Sequence, residues 1–229
     1  MFTKGSSEKS DDDSISIGIS EDTSSLIVNH MIENESMKIK PYIIKDCCAK
    51  TAQWAILSDV YPMAIVCGDA AEKFTKNNKE FVKVATVFEN SNILLKRVVH
   101  PKNIGVVENK ESISKSISKI HPNASISTVN QQNLPYALES NNLDSIVLDI
   151  TRVKNLKGQI ENLYDKNSFV LIAKREFIKS YKYKSFIKNY NKSVKALNNK
   201  TKLYIYLRKH YKFEEGNEKY WKVKILEIN

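Results

Sequence analysis

Small polar side chains follow several short apolar runs of the sequence, and these are the residues that could bind a ligand. Asp69 follows the apolar run at 61–67, and Asp149 ends the run at 143–149. Carboxylate oxygens at a strand end accept hydrogen bonds, and the N–H groups at the start of the next helix donate them, so together they can orient a polar molecule. The candidate ligand-binding residues are Asp22, Thr23, Ser24, Asp69, Asn109, Ser112, Asn130 and Asp149.

The charge of these side chains indicates which molecules they would suit. The aspartates favour an amine or a hydroxyl-bearing ligand over a sulfonate. An aspartate in this position is as commonly a helix cap, and both roles stay open. Lys45 and Asp46 end a further predicted strand and could join the set. Trp54 and Tyr61 are candidates for an apolar wall, although packing in a core is the commoner role of a tryptophan.

No motif for covalent or metal-assisted catalysis occurs in the sequence. It contains no Gly-x-x-x-x-Gly-Lys, Gly-x-Gly-x-x-Gly, His-Glu-x-x-His or Gly-x-Ser-x-Gly pattern. The four histidines are scattered, and the cysteines Cys47, Cys48 and Cys67 form no Cys-x-x-Cys pair. We therefore expect no catalytic residues, no metal site, no cofactor and no disulfide framework, with the cysteines as buried thiols.

Strands and helices alternate along the chain from Ser14 onward, which predicts an α/β fold. The predicted strands cover residues 14–20, 37–45, 61–67, 81–95, 103–107, 124–129, 143–150, 168–173 and 220–228. The predicted helices are one that begins at 22–24 and includes Met31, others at 47–57, 70–77, 111–120, 133–140 and 201–213, and a long basic helix that ends near 197. Residues 151–163 are predicted to be helical or irregular. Residues 1–13 are rich in Ser, Lys and Asp, which is typical of a flexible tether.

Two stretches of the sequence repeat one pattern. Residues 17–26 read IGISEDTSSL and residues 104–113 read IGVVENKESI, so that Ile-Gly, an aliphatic residue, Glu, Asp or Asn, and Ser recur at a constant offset. The runs AIVCGD (64–69) and SIVLD (145–149) repeat more faintly. Ligands of open α/β sheets bind beyond the carboxyl ends of the strands, so two such ends could enclose one ligand. Chance similarity between two short strand–helix units is the alternative.

The order of these segments resembles the type II periplasmic-binding-protein fold, especially the solute-binding proteins of ABC importers for sulfonates, nitrate and thiamine precursors. The resemblance covers about residues 14–197. It rests on the opening IGISEDTSSL, on DVYPMAIVCGDAAE (59–72), on FVKVATVFENSNILL (81–95) as a crossing strand, and most fully on residues 102–150. The family's Gly-Ser-Thr turn is replaced here by residues 108–112, and SNN (140–142) stands where a glycine is common.

The resemblance implies a two-lobed clamshell in which each lobe is a mostly parallel sheet covered by helices. Lobe one would comprise residues 14–95 and 168–229, and lobe two residues 96–167, with hinges near 90–98 and 164–170. The implied function is that of an extracytoplasmic solute-binding protein, which captures a small molecule by hinge closure and delivers it to an ABC permease. Such a protein would be monomeric and not an enzyme. It would be a lipoprotein that contacts the membrane only through a lipid anchor, its signal and lipobox being missing from this sequence.

The uneven charge of the chain leaves two other functions open. Residues 151–229 carry 20 Lys and Arg against 7 Asp and Glu, a net charge of +13, whereas residues 1–150 carry 16 against 19, a net charge of −3. A basic segment can bind nucleic acid or an anionic membrane surface. Its lysines are interrupted by apolar residues at helical spacing, which favours an amphipathic helix on a core, and we expect no nucleic-acid partner. The other alternative is a small enzyme, a lyase or transferase on the same fold, with Asp69 and Asp149 as its acid or base.

Overall fold

The computed structural model describes residues 14–34, 37–45 and 60–229. The predicted tether at 1–13 lies outside these residues, as does the predicted helix at 47–57. The same holds for Asp46, Cys47, Cys48 and Trp54. Of the cysteines, Cys67 is described and its side chain is buried.

Strands and helices alternate along the described chain, as the sequence predicted. The strands are β1 (Ile15–Ile19), β2 (Ile39–Ile43), β3 (Met63–Cys67), β4 (Phe81–Glu89), β5 (Asn92–Lys96), β6 (Asn103–Val107), β7 (Ser125–Val129), β8 (Ser145–Asp149), β9 (Gln159–Asn162), β10 (Phe169–Lys174) and β11 (Lys224–Ile225). The helices are α1 (Leu26–Glu33), α2 (Gly68–Asn77), α3 (Glu111–Ile120), α4 (Leu134–Glu139), α5 (Tyr181–Leu197) and α6 (Lys200–Tyr211). The prediction for residues 151–163 was wrong at β9, because four partly polar residues give too short a pattern to read as a strand.

Two sheets form the two lobes. In lobe one the strand order is β2-β1-β3-β10-β4-β11, and in lobe two it is β7-β6-β8-β5-β9. The pairs β1–β2, β1–β3, β6–β7 and β6–β8 are parallel, whereas the remaining pairs are antiparallel. The predicted mostly parallel sheets are therefore mixed. In lobe one, β10 is antiparallel to both of its neighbours, β3 and β4, because the chain leaves this lobe on β4 and returns on β10, running the opposite way.

The lobes are joined by two crossings of the chain, at residues 90–91 and 163–168. These crossings are bonded to each other: the Asn90 N–H donates to the Asp165 carbonyl at 2.7 Å, and the Asp165 N–H donates to Oδ1 of Asn90 at 3.0 Å. Strand β5 pairs with β8, so lobe two begins near Asn92, not after residue 95 as the sequence suggested. The apolar pattern continues through both β4 and β5, which conceals the change of sheet.

The repeated Ile-Gly pattern has a packing cause in both lobes. A Cβ atom on Gly18 in β1 would lie 2.8 Å from atoms of both Ile44 and Tyr61. A Cβ atom on Gly105 in β6 would lie 2.4 Å from Cδ1 of Leu143. Each glycine thus lets neighbouring side chains pack directly against the first parallel strand of its sheet.

The basic C-terminal segment packs on lobe one as an amphipathic helix, which confirms the interpretation of its periodicity. Ser180 caps α5, its Oγ accepting from the N–H of Tyr183 at 3.1 Å. The apolar face of α5 buries Phe186, Tyr190 and Val194 completely, while its lysines point outward or lie at the margin. None of the helices in the described part of the chain is long and apolar enough to cross a membrane.

Candidate functional site

A cavity of about 490 Å³ opens where the carboxyl ends of β6, β7 and β8 in lobe two meet the end of β1 in lobe one. Lobe one contributes Asp22 to its wall, and the other lining residues belong to lobe two. They are Val107, Lys110, Gln131, Gln132, Leu134, Pro135, Leu148, Asp149, Thr151, Arg152, Lys154 and Asn155. The position is the one expected for a ligand site beyond the ends of parallel strands.

Asp149 is the most heavily bonded residue of this cavity. Its Oδ1 accepts from the N–H and Oγ1 of Thr151 at 3.0 and 2.6 Å, which caps the turn that follows β8. The same oxygen accepts from the N–H and Oγ1 of Thr23 at 3.2 and 2.8 Å. Asp149 therefore forms hydrogen bonds from lobe two to lobe one and also caps the turn that follows β8. Its Oδ2 is buried and has no hydrogen-bond partner among the described residues.

Asp22 faces the cavity from the opposite lobe. Its Oδ1 accepts from the Ser24 N–H at 3.0 Å, which caps the short helical turn at Thr23–Ser25. Burial of the carboxyl group, followed by the negative charge of Asp149, raises the pKa of Asp22 from 3.8 to about 6; Arg152 and the bond from Ser24 oppose this rise. Two buried carboxylates thus line one cavity, and the charge of Asp149 disfavours the ionisation of Asp22.

Arg152 supplies positive charge beside this pair. Its Nη2 lies 4.0 Å from Oδ2 of Asp22, and its side chain is 30% exposed. The side-chain oxygen of Gln131 accepts from Nε and Nη2 of Arg152 at 3.0 and 3.2 Å, in the amide orientation that satisfies both groups. Lys110, also on the cavity wall, donates to Oδ1 of Asn92 at 3.4 Å. The cavity accordingly combines an apolar wall with buried acidic groups and less buried basic groups.

A second contact between the lobes involves Asp69 and Ser112. Oδ2 of Asp69 accepts from the N–H and Oγ of Ser112 at 3.0 and 2.9 Å, so lobe one caps helix α3 of lobe two. Lys73 and Glu111 form an ion pair of 2.8 Å beside it. Asp69 and Ser112 border a smaller cavity of about 250 Å³ and do not line the larger one.

The remaining predicted site residues shape turns or the core. Ser24 is buried, its N–H bonded to Asp22 and its Oγ donating to the Ser20 carbonyl at 3.3 Å. Asn130 closes a turn by accepting from the Gln132 N–H at 3.0 Å. Asn109 lies exposed in a turn with φ of 63°. None of these three lines the larger cavity.

Two further candidates also lie away from that cavity. Lys45 is exposed at the end of β2. Tyr61 is buried against Gly18, with its ring 5.6 Å from that of Tyr42, and it is absent from the cavity wall. Tyr61, a candidate for the apolar wall, does not line the larger cavity, because its ring packs against Gly18 in the core of lobe one.

Sequence reasoning missed Arg152, Gln131 and Lys110. Each follows a predicted strand by one to three residues, as the candidate residues do. These long side chains carry no capping pattern in the sequence, but they reach the cavity wall from the turns after β6, β7 and β8. Among the described residues, no group of three or more His, Cys, Asp and Glu side chains converges in a way that could hold a metal ion.

Solved structures of low sequence identity share this architecture. The ligand-binding component of an ABC-type import system from Staphylococcus aureus, solved with zinc bound, superposes with a TM-score of 0.76 at 15% identity, covering 94% of this chain and 86% of that one. A candidate methionine-binding lipoprotein from Bacillus subtilis gives 0.65 at 12%, covering 82% and 95%. The alkanesulfonate-binding protein of Xanthomonas axonopodis pv. citri, bound to MOPS, gives 0.66 at 10%, covering 91% and 82%.

The comparisons at the level of sequence find no relative. No protein-family model matches the chain, and none of the curated proteins matches it. At identities of 15% or less, the structural likeness speaks to fold and to no particular ligand. The chain therefore has the two-lobed type II periplasmic-binding-protein fold that the order of its segments predicted.

Proposed function

We propose that this chain is an extracytoplasmic solute-binding protein that captures a small molecule between its lobes and delivers it to an ABC permease. The observation that carries the proposal is the cavity of about 490 Å³ at the meeting of the two lobes, walled by the buried carboxylates of Asp22 and Asp149. Convergent polar groups in a partly apolar pocket at strand ends are what a ligand site requires. The structural neighbours, which include binding components of import systems, support this proposal.

Closure would work through the two crossings of the chain. The paired segments at 90–91 and 163–168 are the covalent links between the sheets, so rotation of one lobe against the other must be absorbed there. In the closed arrangement Thr23 reaches Asp149, and Asp69 reaches Ser112. We infer that the protein acts as a monomer, and that a lipid anchor outside the described residues holds it at the membrane.

The test is a screen for solutes, made with a variant that fills the cavity. A solute present at 100 times its Kd should stabilise the protein by about 2.7 kcal/mol, which corresponds to a rise in Tm of roughly 5–10 °C. Amines, amino acids, pyrimidines and small anions form the panel. Gln132→Trp places a large ring in the cavity wall and should abolish the response. Asn133→Trp alters the exposed neighbouring residue, which lies outside the wall, and should keep it.

Two results would count against a binding role. One is a flat response to every class of solute, and the other is an equal response in both tryptophan variants. The alternative function, a small lyase or transferase, has one observation in its favour, since a raised pKa such as that of Asp22 suits a general acid. Mass spectrometry of a bound solute after incubation separates the two: an unchanged solute supports binding, and a converted solute supports catalysis.

A further inference from the structure

We propose that the buried wall of the larger cavity binds the ammonium group of a small cationic solute, with Asp22 and Asp149 as its counter-ions. This inference rests on the proposed function, since it names the class of molecule that the binding site would take. Its starting observation is Oδ2 of Asp149, a carboxylate oxygen on a side chain that is 4% exposed, with no hydrogen-bond partner among the described residues. An unsatisfied oxygen of this kind is costly unless a donor reaches it.

The negative charge of the wall lies on its two buried aspartates, although Lys110, Arg152 and Lys154 also line the cavity. Asp22 and Asp149 are both 4% exposed, and Arg152 at 4.0 Å is the nearest positive charge that the structure shows for Asp22. Lys154 is exposed, and Lys110 is half-buried and donates to Asn92. The two carboxylates are thus the most buried charges of the wall. A cation that enters the buried end relieves the repulsion between the carboxylates.

The donors already present favour an ammonium over a metal ion. Oδ1 of Asp149 is occupied by four hydrogen bonds from Thr23 and Thr151, which leaves Oδ2 as its free acceptor. Calcium and magnesium need six or more oxygen ligands, and zinc needs about four ligands. Among the described residues, no group of three or more His, Cys, Asp and Glu side chains could hold such an ion. An ammonium donates three hydrogen bonds from one atom; one of them can satisfy Oδ2 of Asp149, while the charge of the ammonium offsets that of Asp22.

A set of four-carbon probes isolates the charge of the ligand from its size. The purified chain is titrated by calorimetry at pH 8 with butylammonium, butan-1-ol, butyrate and zinc chloride. Butylammonium should bind at least about tenfold more tightly than the alcohol or the carboxylate, because only it pairs with both aspartates. Comparable binding of the alcohol or of butyrate overturns the proposal, as does the absence of any binding of butylammonium.

Variants then locate the binding. Asp22→Asn and Asp149→Asn keep the shape of each side chain and should each weaken binding of butylammonium at least about tenfold. Glu21→Gln removes the same charge from the exposed neighbouring residue and should change the affinity less than about twofold. Unchanged affinity in both aspartate variants overturns the proposal. Zinc binding that both variants abolish would also overturn it, in favour of a metal.

The ammonium proposal and the proposed function can fail separately. If the solute screen finds an anion or a neutral molecule whose response Gln132→Trp abolishes, the binding function stands and the ammonium proposal falls. If neither the screen nor the probes give a response, both fall.

Discussion

Replacing Asp22 by Asn removes a buried negative charge, keeps the shape of the side chain, and should stabilise the folded protein at pH 8. The physical reason is the pKa of Asp22, which rises from 3.8 to about 6 through burial and the charge of Asp149. The unfolded chain releases this proton near pH 3.8 and the folded chain near pH 6. Between these values the unfolded state binds fewer protons, so stability falls as the pH rises.

The size of the effect follows from the same two pKa values. The difference between 3.8 and about 6 corresponds to about 3 kcal/mol of stability lost by ionisation of Asp22 in the folded state. Asparagine avoids that loss, and the pKa of about 6 already includes the opposing contributions of Arg152 and of the Ser24 N–H. The variant should therefore gain about 2–3 kcal/mol at pH 8 and stay within about 1 kcal/mol of the wild type at pH 4, where Asp22 is protonated in the folded state.

Urea denaturation of both proteins at pH 4, 6 and 8 measures this difference directly. Glu21→Gln serves as the control, because Glu21 precedes Asp22 and is exposed; its effect should stay within about 0.5 kcal/mol at each pH. A difference between Asp22→Asn and the wild type that does not change with pH would refute the reasoning. So would a variant that is less stable than the wild type at pH 8.

Two further substitutions test the contact of Asp69 with Ser112 between the lobes and the packing of Gly68 beside it. Asp69→Ala removes the two bonds to Ser112 and should widen the angle between the lobes, which small-angle X-ray scattering would detect as a larger radius of gyration. Glu72→Ala, one turn along the same helix on the exposed surface, should leave the radius of gyration unchanged. Equal scattering curves for the wild type and both variants would contradict the assignment of this contact. Gly68→Ala should destabilise the protein by about 2–3 kcal/mol in chemical denaturation, because its Cβ would lie 2.4 Å from the Asn167 carbonyl oxygen. A cost below about 0.5 kcal/mol would show that residue 68 and the Asn167 carbonyl group are less closely packed.

The strands and helices could be predicted because their signals are local. The alternation of IGI and IGVV with polar residues, and the helical spacing of Phe186, Tyr190 and Val194, depend only on which side chains face a core. The direction of the strands depends instead on where the chain turns back. Nothing in residues 81–95 shows that β5 pairs in another sheet from β4, so the lobe boundary and the mixed sheets needed the structure.

The candidate site was predicted in part, for a related reason. Asp22 and Asp149 were found because each caps a turn at a strand end, which leaves a mark in the sequence. The same capping pattern in the sequence also indicated Asp69 and Ser112, which bond to each other and do not line the larger cavity. A cap and a ligand contact look alike in sequence, since both place a small acceptor before a helix. Only the relative position of the lobes separates them.

On the proposed function, we infer that Asp149 couples recognition to closure through its two oxygens. In the structure Oδ1 receives both donors of Thr23, while Oδ2 has no partner among the described residues. Opening the lobes must break the bonds from Thr23 and separate Asp22 from Asp149. Since the charges of the two aspartates repel each other, ionisation of both favours the open form, and a cation bound between them favours the closed form. A ligand shifts such an equilibrium only through its different affinity for the two forms. We infer that a solute meets Asp149 on lobe two first, and that Asp22 completes its site as lobe one closes.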